Sequence, residues 1–223
     1  MEVPSLPGLQ LITGRSLDRI VNFSDAVVAV AITVLVLPIV AIGGPGPQQT
    51  MWQVISSHSG QIGGFLLTFL IVFLLWQGHH RVFDNFIAID NVIMWLNAGW
   101  LASIAFLPWP SKLVDFADQG AHAMWLYNLT LCLNATFLQL IYMRGKRHPG
   151  YLRNPSISTS AWSISAMFAV AFAALTLLSI IAPRVAAWSM FLLIPLRFIV
   201  QQHPDPPEHS GQSTNTSTEQ ETP

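Results

Sequence analysis

The sequence predicts an all-α membrane protein with six spanning helices, and three observations carry that prediction. Charged side chains make up 9% of the 223 residues, against about 25% in soluble domains, so a soluble surface would lack the charges that keep neighbours apart. Hydrophobic residues reach 52% and gather in six windows close to the roughly 20 apolar residues that cross a hydrocarbon core. Basic residues concentrate in alternate connections between those windows, as spanning helices require.

The windows run over residues 20–42, 62–80, 90–109, 122–143, 160–182 and 185–200. GGPGPQQ (43–49) marks an exposed turn after the first, and Pro183 ends the fifth just before the sixth. The cores of the second to fifth windows contain no Asp, Glu, Lys or Arg. The sixth is short and holds Pro195 and Arg197, whose long side chain snorkels to an interface. Trp52, Trp76, Trp109 and Trp162 lie near window ends, where an aromatic belt sits. Asp84 and Asp90 fall in the connection after window two and are expected to be solvated.

Residues 1–19 read as a polar leader, 20–202 as the spanning domain and 203–223 as a disordered tail. From His203 the chain is Pro, Ser, Thr, Gln, Glu and Asn without an apolar run, which cannot form a core. With a cytoplasmic N-terminus, Arg15, Arg19, Arg81, Arg144, Lys146, Arg147, Arg153 and Arg197 face inward, leaving only Lys112 and Arg184 outside. Both termini are therefore expected in the cytoplasm. Asn215-Thr216-Ser217 matches a glycosylation acceptor but falls on that side and is discounted.

Most chemistry is excluded. The chain has no P-loop, GxSxG elbow, HExxH or CxxC, so no catalytic, cofactor or metal residues are expected and an enzyme is not. His79 and His80 point about 100° apart on a helix and cannot share one metal. Cys132 is the single cysteine, too few for a disulfide scaffold, and no basic patch suits nucleic acid. Asn128 and Asn134 read as hydrogen-bond glue between helices. No TVGYG-like carbonyl filter is present, nor an Arg at every third position.

Window one is different, because Asp25 is a carboxylate inside a spanning segment. At about 100° per residue, Phe23, Ala26, Val30, Thr33, Val34 and Leu37 form one stripe, and Asp25 falls almost opposite, at about 220° from Val30. A buried carboxylate needs partners. Arg19 is six residues away and off that face, so the partners must come from other helices: Trp76, His79, His80 and Asn97 lie at the matching ends of windows two and three. Thr33 alone could equally bond back to its own helix at Ala29.

Arg19-Ile20-Val21-Asn22-Phe23-Ser24-Asp25 resembles the RxxxFSD motif of the transmembrane-protein-175 family, prokaryotic and lysosomal potassium channels. WQGHHRVF (76–83) resembles the end of that family's second helix, and LNAGWLASIAFLPWPSKLV (96–114) its third. The resemblance implies a homotetramer in a lipid bilayer, with helix one of each subunit lining a central pore that conducts potassium ions. It implies apolar selectivity rings at Val30, Val34 and Leu37 with a hydroxyl ring at Thr33. Relatives usually carry Leu or Ile where Val30 stands. Arg19, Phe23, Ser24, Asp25, Trp76, His79, His80 and Asn97 are expected to form a structural network at the inner end of helix one. A single six-helix unit implies a plasma membrane, since the animal relatives carry two such repeats. The alternative is a secondary transporter, against which stand the lack of further buried acids and of an inverted repeat, or a proton-leak permease, which the sequence leaves open.

Overall fold

The computed structural model describes residues 11–114, 124–154 and 158–181. Window six, the tail and the leader before Leu11 lie outside the described residues, as does the side chain of Trp162. The elements in order are β1 (Ile12–Thr13), α1 (Arg15–Val34), α2 (Leu37–Val40), α3 (Met51–Ser57), α4 (Ser59–Asp84), β2 (Ala88–Ile89), α5 (Asn91–Phe106), α6 (Pro108–Leu113), α7 (Met124–Arg147) and α8 (Ser158–Ile181). Four continuous runs are long and apolar enough to cross a membrane: Arg15–Val40, Ser59–Asp84, Asn91–Leu113 and Met124–Arg147. The apolar stretch Val170–Ile181 of α8 adds a shorter one.

Proline decides where two of these runs break. A proline ring clashes with the carbonyl four residues before it and offers no N–H. Pro38 therefore ends α1 at Val34, and Pro110 ends α5 at Phe106, with a short helical turn resuming in each case. Across the first break the ladder tightens to a three-residue bond, Val36 N–H donating to the Thr33 carbonyl at 3.3 Å.

The bundle core collects one face of each long helix: Val28, Ala31 and Leu35 of the first run, Leu67, Ile71, Val72 and Leu75 of α4, Trp100, Leu101 and Ile104 of α5, Leu131 and Ala135 of α7, and Phe172 and Leu175 of α8. At Gly99 an added Cβ would lie 2.6 Å from the Phe137 ring, so the missing side chain sets how closely α5 approaches α7. Two expected polar links appear here. Asn128 Nδ2 donates to the Leu175 carbonyl at 3.3 Å, and Asn134 Nδ2 donates to Ser103 Oγ at 2.8 Å.

A second, smaller core closes one end of the bundle, built from Leu17, Phe83, Phe86, Ala88, Ile89, Ile93, Ile141, Tyr151 and Leu152. Its backbone is a feature the helical pattern does not anticipate. β1 pairs antiparallel with β2, Ile12 opposite Ile89 and Thr13 opposite Ala88. On the far side Phe86 bridges to Leu152, Ile87 N–H donates to the Tyr151 carbonyl at 2.8 Å, and Arg153 N–H to the Asn85 carbonyl at 2.7 Å. The residues before α1, after α4 and after α7 are thereby laced into one cap.

Asp90 corrects the expectation of a solvated loop carboxylate. It is fully buried; Oδ1 accepts from Ile93 N–H at 2.9 Å, capping α5, and Oδ2 accepts from Arg144 Nε at 2.9 Å and Nη2 at 2.7 Å. The fold buries it because the cap folds back over the α5 N-terminus, whose free N–H groups favour an anion. Burial and the Asp90 carboxylate together push the nearby Tyr151 hydroxyl above its ordinary pKa, with Arg144 opposing. Asp84, by contrast, is exposed at the end of α4, with His80 Nε2 3.7 Å away.

Candidate functional site in and around helix one

Helix α1 has two unlike faces. Leu17, Ser24, Val28 and Ala31 are buried against the rest of the subunit, with Leu35 just beyond the helix end. The other face is open: Phe23 is 63% exposed, Val30 62%, Val34 40% and, on α2, Leu37 59%. Thr33 is exposed among them, its hydroxyl donating back to the Val30 carbonyl at 2.7 Å rather than to Ala29. The four residues Val30, Thr33, Val34 and Leu37 thus share one apolar strip broken by a single hydroxyl, and nothing in the described subunit covers it.

The opposite face is tied down by a polar relay. Ser24 Oγ donates to the Ile20 carbonyl at 2.9 Å and accepts from Asn97 Nδ2 at 3.0 Å. That orients the Asn97 amide, leaving its Oδ1 to face His79 Nε2 at 2.8 Å. The His79 Nε2 must therefore carry the proton, and its Nδ1 is left as a buried acceptor without a partner among the described residues. The imidazole is held flat between Phe83 and Trp100, at centroid distances of 4.4 and 4.1 Å. All three polar residues of the relay are buried.

Beside it, Trp76 Nε1 donates to Asp25 Oδ1 at 2.7 Å, and the Trp76 ring stacks on His80 at 5.5 Å. Trp76 is therefore not a plain interfacial belt residue. The tertiary structure brings together six of the eight residues expected in the network: Ser24, Asp25, Trp76, His79, His80 and Asn97. Arg19 and Phe23 stand outside it and are exposed. The cause is helical geometry, because at about 100° per residue both fall on the Val30 stripe rather than on the Asp25 face.

The arrangement holds a helix. Among the described residues no three His, Cys, Asp or Glu side chains converge as metal ligands would. What the relay can do is fix the rotation of α1 about its axis, so that the apolar strip faces away from its own subunit. Sequence reasoning missed the Asp90–Arg144 pair at the capped end, since their separation of 54 positions leaves no local signal.

A cavity of about 660 Å³ lies at the far end of helix one, between Leu37, Pro38 and Ile42, His58 and Gln61 at the start of α4, and Trp109 and Lys112 of α6. None of the residues of the α2 turn is buried within the subunit.

Comparison with known proteins gives these features a context. The family model described as "Endosomal/lysosomal potassium channel TMEM175" matches residues 19–108, the stretch that contains helix one, the relay and helix α5. A potassium channel of Streptomyces collinus is 30% identical over 147 residues, covering 64% of this chain and 70% of that protein. The human endosomal/lysosomal proton channel TMEM175 is 30% identical over 146 residues, but this chain spans only 28% of its length. The crystal structure of a lysosomal potassium-selective channel TMEM175 homolog from Chamaesiphon minutus superposes with a TM-score of 0.66, covering 85% of this chain and all of that one, at 24% identity. That likeness speaks for the fold, and the Streptomyces relative speaks for kinship. The chain belongs to the TMEM175 family of ion channels.

Proposed function

We propose that this chain is a potassium-permeable channel that assembles as a homotetramer in the plasma membrane, with both termini in the cytoplasm. Conduction runs along a central axis lined by Val30, Thr33, Val34 and Leu37 of four copies of helix one. The observation that carries this reading is the uncovered strip on α1, whose four members are exposed while Ser24, Val28, Ala31 and Leu35 on the other face are buried. Rotation about a fourfold axis would give each member a ring. The Streptomyces relative, named a potassium channel, supports the choice of ion.

A narrow apolar ring conducts only ions that shed water there, and it can close by dewetting. Potassium holds its hydration shell less tightly than sodium, so an apolar neck favours it without a carbonyl filter. Asp25 faces its own subunit through Trp76 and adds no charge to that neck. Recording from purified protein in planar bilayers with KCl on one side and NaCl on the other tests the reading. A reversal potential displaced toward the potassium equilibrium value is expected. Saturable, gradient-coupled uptake without channel currents would identify a transporter instead, and a silent bilayer would leave only a scaffold.

The vertebrate relatives are named proton channels, which favours proton passage through the same pore as a second reading. A reversal potential that follows an imposed pH gradient at symmetric KCl would support it.

A further inference from the structure

The capped end of the subunit carries a charge pattern at odds with a cation pathway. Helix α1 begins with Arg15 and Arg19, both exposed and without an ion pair or side-chain hydrogen bond among the described residues. A helix N-terminus already bears partial positive charge, so two cations there are doubly unfavourable. Gly14 at the N-cap offers no side-chain acceptor, and Asp18 is the one acid of the first turn. The β1–β2 pairing and the Arg153–Asn85 backbone bond bring exposed Arg147 and Arg153 to the same end. Among the described residues there, Arg15, Arg19, Arg81, Arg144, Lys146, Arg147 and Arg153 stand against Asp18, Asp25, Asp84 and Asp90, a net charge of +3. Arg19 lies on the Val30–Leu37 stripe, so a tetramer built on the reading above would place rings of guanidinium at the inner mouth. Such a ring repels the conducted ion.

The same chain holds the matching countercharge. Residues 203–223 contain Asp205, Glu208, Glu219 and Glu221 and no Lys or Arg, a net −4. We propose that segment 203–223 docks on the Arg15, Arg19, Arg147 and Arg153 surface and reverses the field at the inner mouth, so that it attracts cations. Both the location of that surface at a pore mouth and the presence of the segment on the same side of the membrane rest on the proposed function. Anionic lipid headgroups are the lesser fit, because Arg19 shares the stripe assigned to the axis and not to the bilayer.

Two measurements test it on the full-length chain. First, the variant Asp205→Asn/Glu208→Gln/Glu219→Gln/Glu221→Gln is recorded in bilayers beside the native protein. Its outward current should fall about twofold at 50 mM KCl and match the native current at 500 mM, where screening shortens the reach of fixed charge to a few ångströms. Second, a fluorescent peptide of residues 203–223 is titrated onto that neutralised variant in detergent. It should bind at low salt, and at least tenfold more weakly when Arg15→Gln and Arg153→Gln are added. Equal binding to both proteins, binding only to anionic vesicles, or currents indifferent to the four substitutions at both salts would overturn the proposal. A native protein that carries no current but still binds the peptide through Arg15 and Arg153 would sink the channel reading and leave the docking standing.

Discussion

Trp76 Nε1 reaches Asp25 Oδ1 at 2.7 Å across 51 residues of sequence, joining the second long helix to the face of the first that looks away from its uncovered apolar strip. This bond and the neighbouring Ser24–Asn97–His79 relay lie on the face of helix one that also packs Val28 and Ala31 into the core. A carboxylate that would cost free energy in an apolar bundle is made into an anchor, because its partner is delivered at the matching depth.

Trp76→Phe keeps the ring and removes the donor. Leaving a carboxylate short of one charge-assisted hydrogen bond should destabilise the subunit by about 2 kcal/mol. Thermal unfolding in detergent reads this directly, and the potassium-to-sodium preference of surviving channels should be unchanged. A selectivity shift at native stability would place Asp25 in the conduction path.

Asn97→Leu strands the buried His79 Nε2 and removes the donor to the buried Ser24 Oγ, which keeps its bond to the Ile20 carbonyl. The loss should exceed that of Trp76→Phe, at about 3 kcal/mol, because two buried hydrogen bonds go at once and one of them leaves a donor unmade. Comparison of the two unfolding midpoints checks the order.

Arg144→Met leaves Asp90 buried and unpaired, and a lone member of such a pair costs about 3–5 kcal/mol. The double variant Arg144→Met/Asp90→Asn should recover most of that, since the orphaned charge is gone while the α5 cap is kept. Failure of the second change to restore unfolding stability would mean that the arginine acts mainly through packing.

Gly145→Ala puts a Cβ 2.6 Å from Phe86 Cζ in the capped end. The ring is walled in by Leu152 and Phe83, so overpacking should cost about 1–3 kcal/mol. Proteolysis at the 85–90 connection should accelerate with it.

In the pore reading, Val34→Asn and Leu37→Asn each replace an apolar ring member by a group that keeps water. Conductance should rise and the reversal potential in mixed potassium and sodium should move toward zero. Val30→Leu should narrow its ring and lower conductance.

Local pattern and tertiary structure divided the determination of this protein cleanly. Hydropathy and charge spacing are one-dimensional quantities, so the long helices and the two faces of α1 followed from the sequence alone, whereas the break at Pro38 inside window one emerged only in the structure. The Val30, Thr33, Val34 and Leu37 strip was legible because helical period is a local property. The same period also placed Arg19 and Phe23 on that strip, although motif kinship grouped them with Asp25. What the chain could not declare was anything closed over a long separation: Trp76 as the donor to Asp25, the direction of the Asn97 amide, the burial of Asp90 by Arg144, and the ladder that ties Ile12 to Ile89. Each depends on two distant segments arriving at the same depth in the bundle, and only packing decides that.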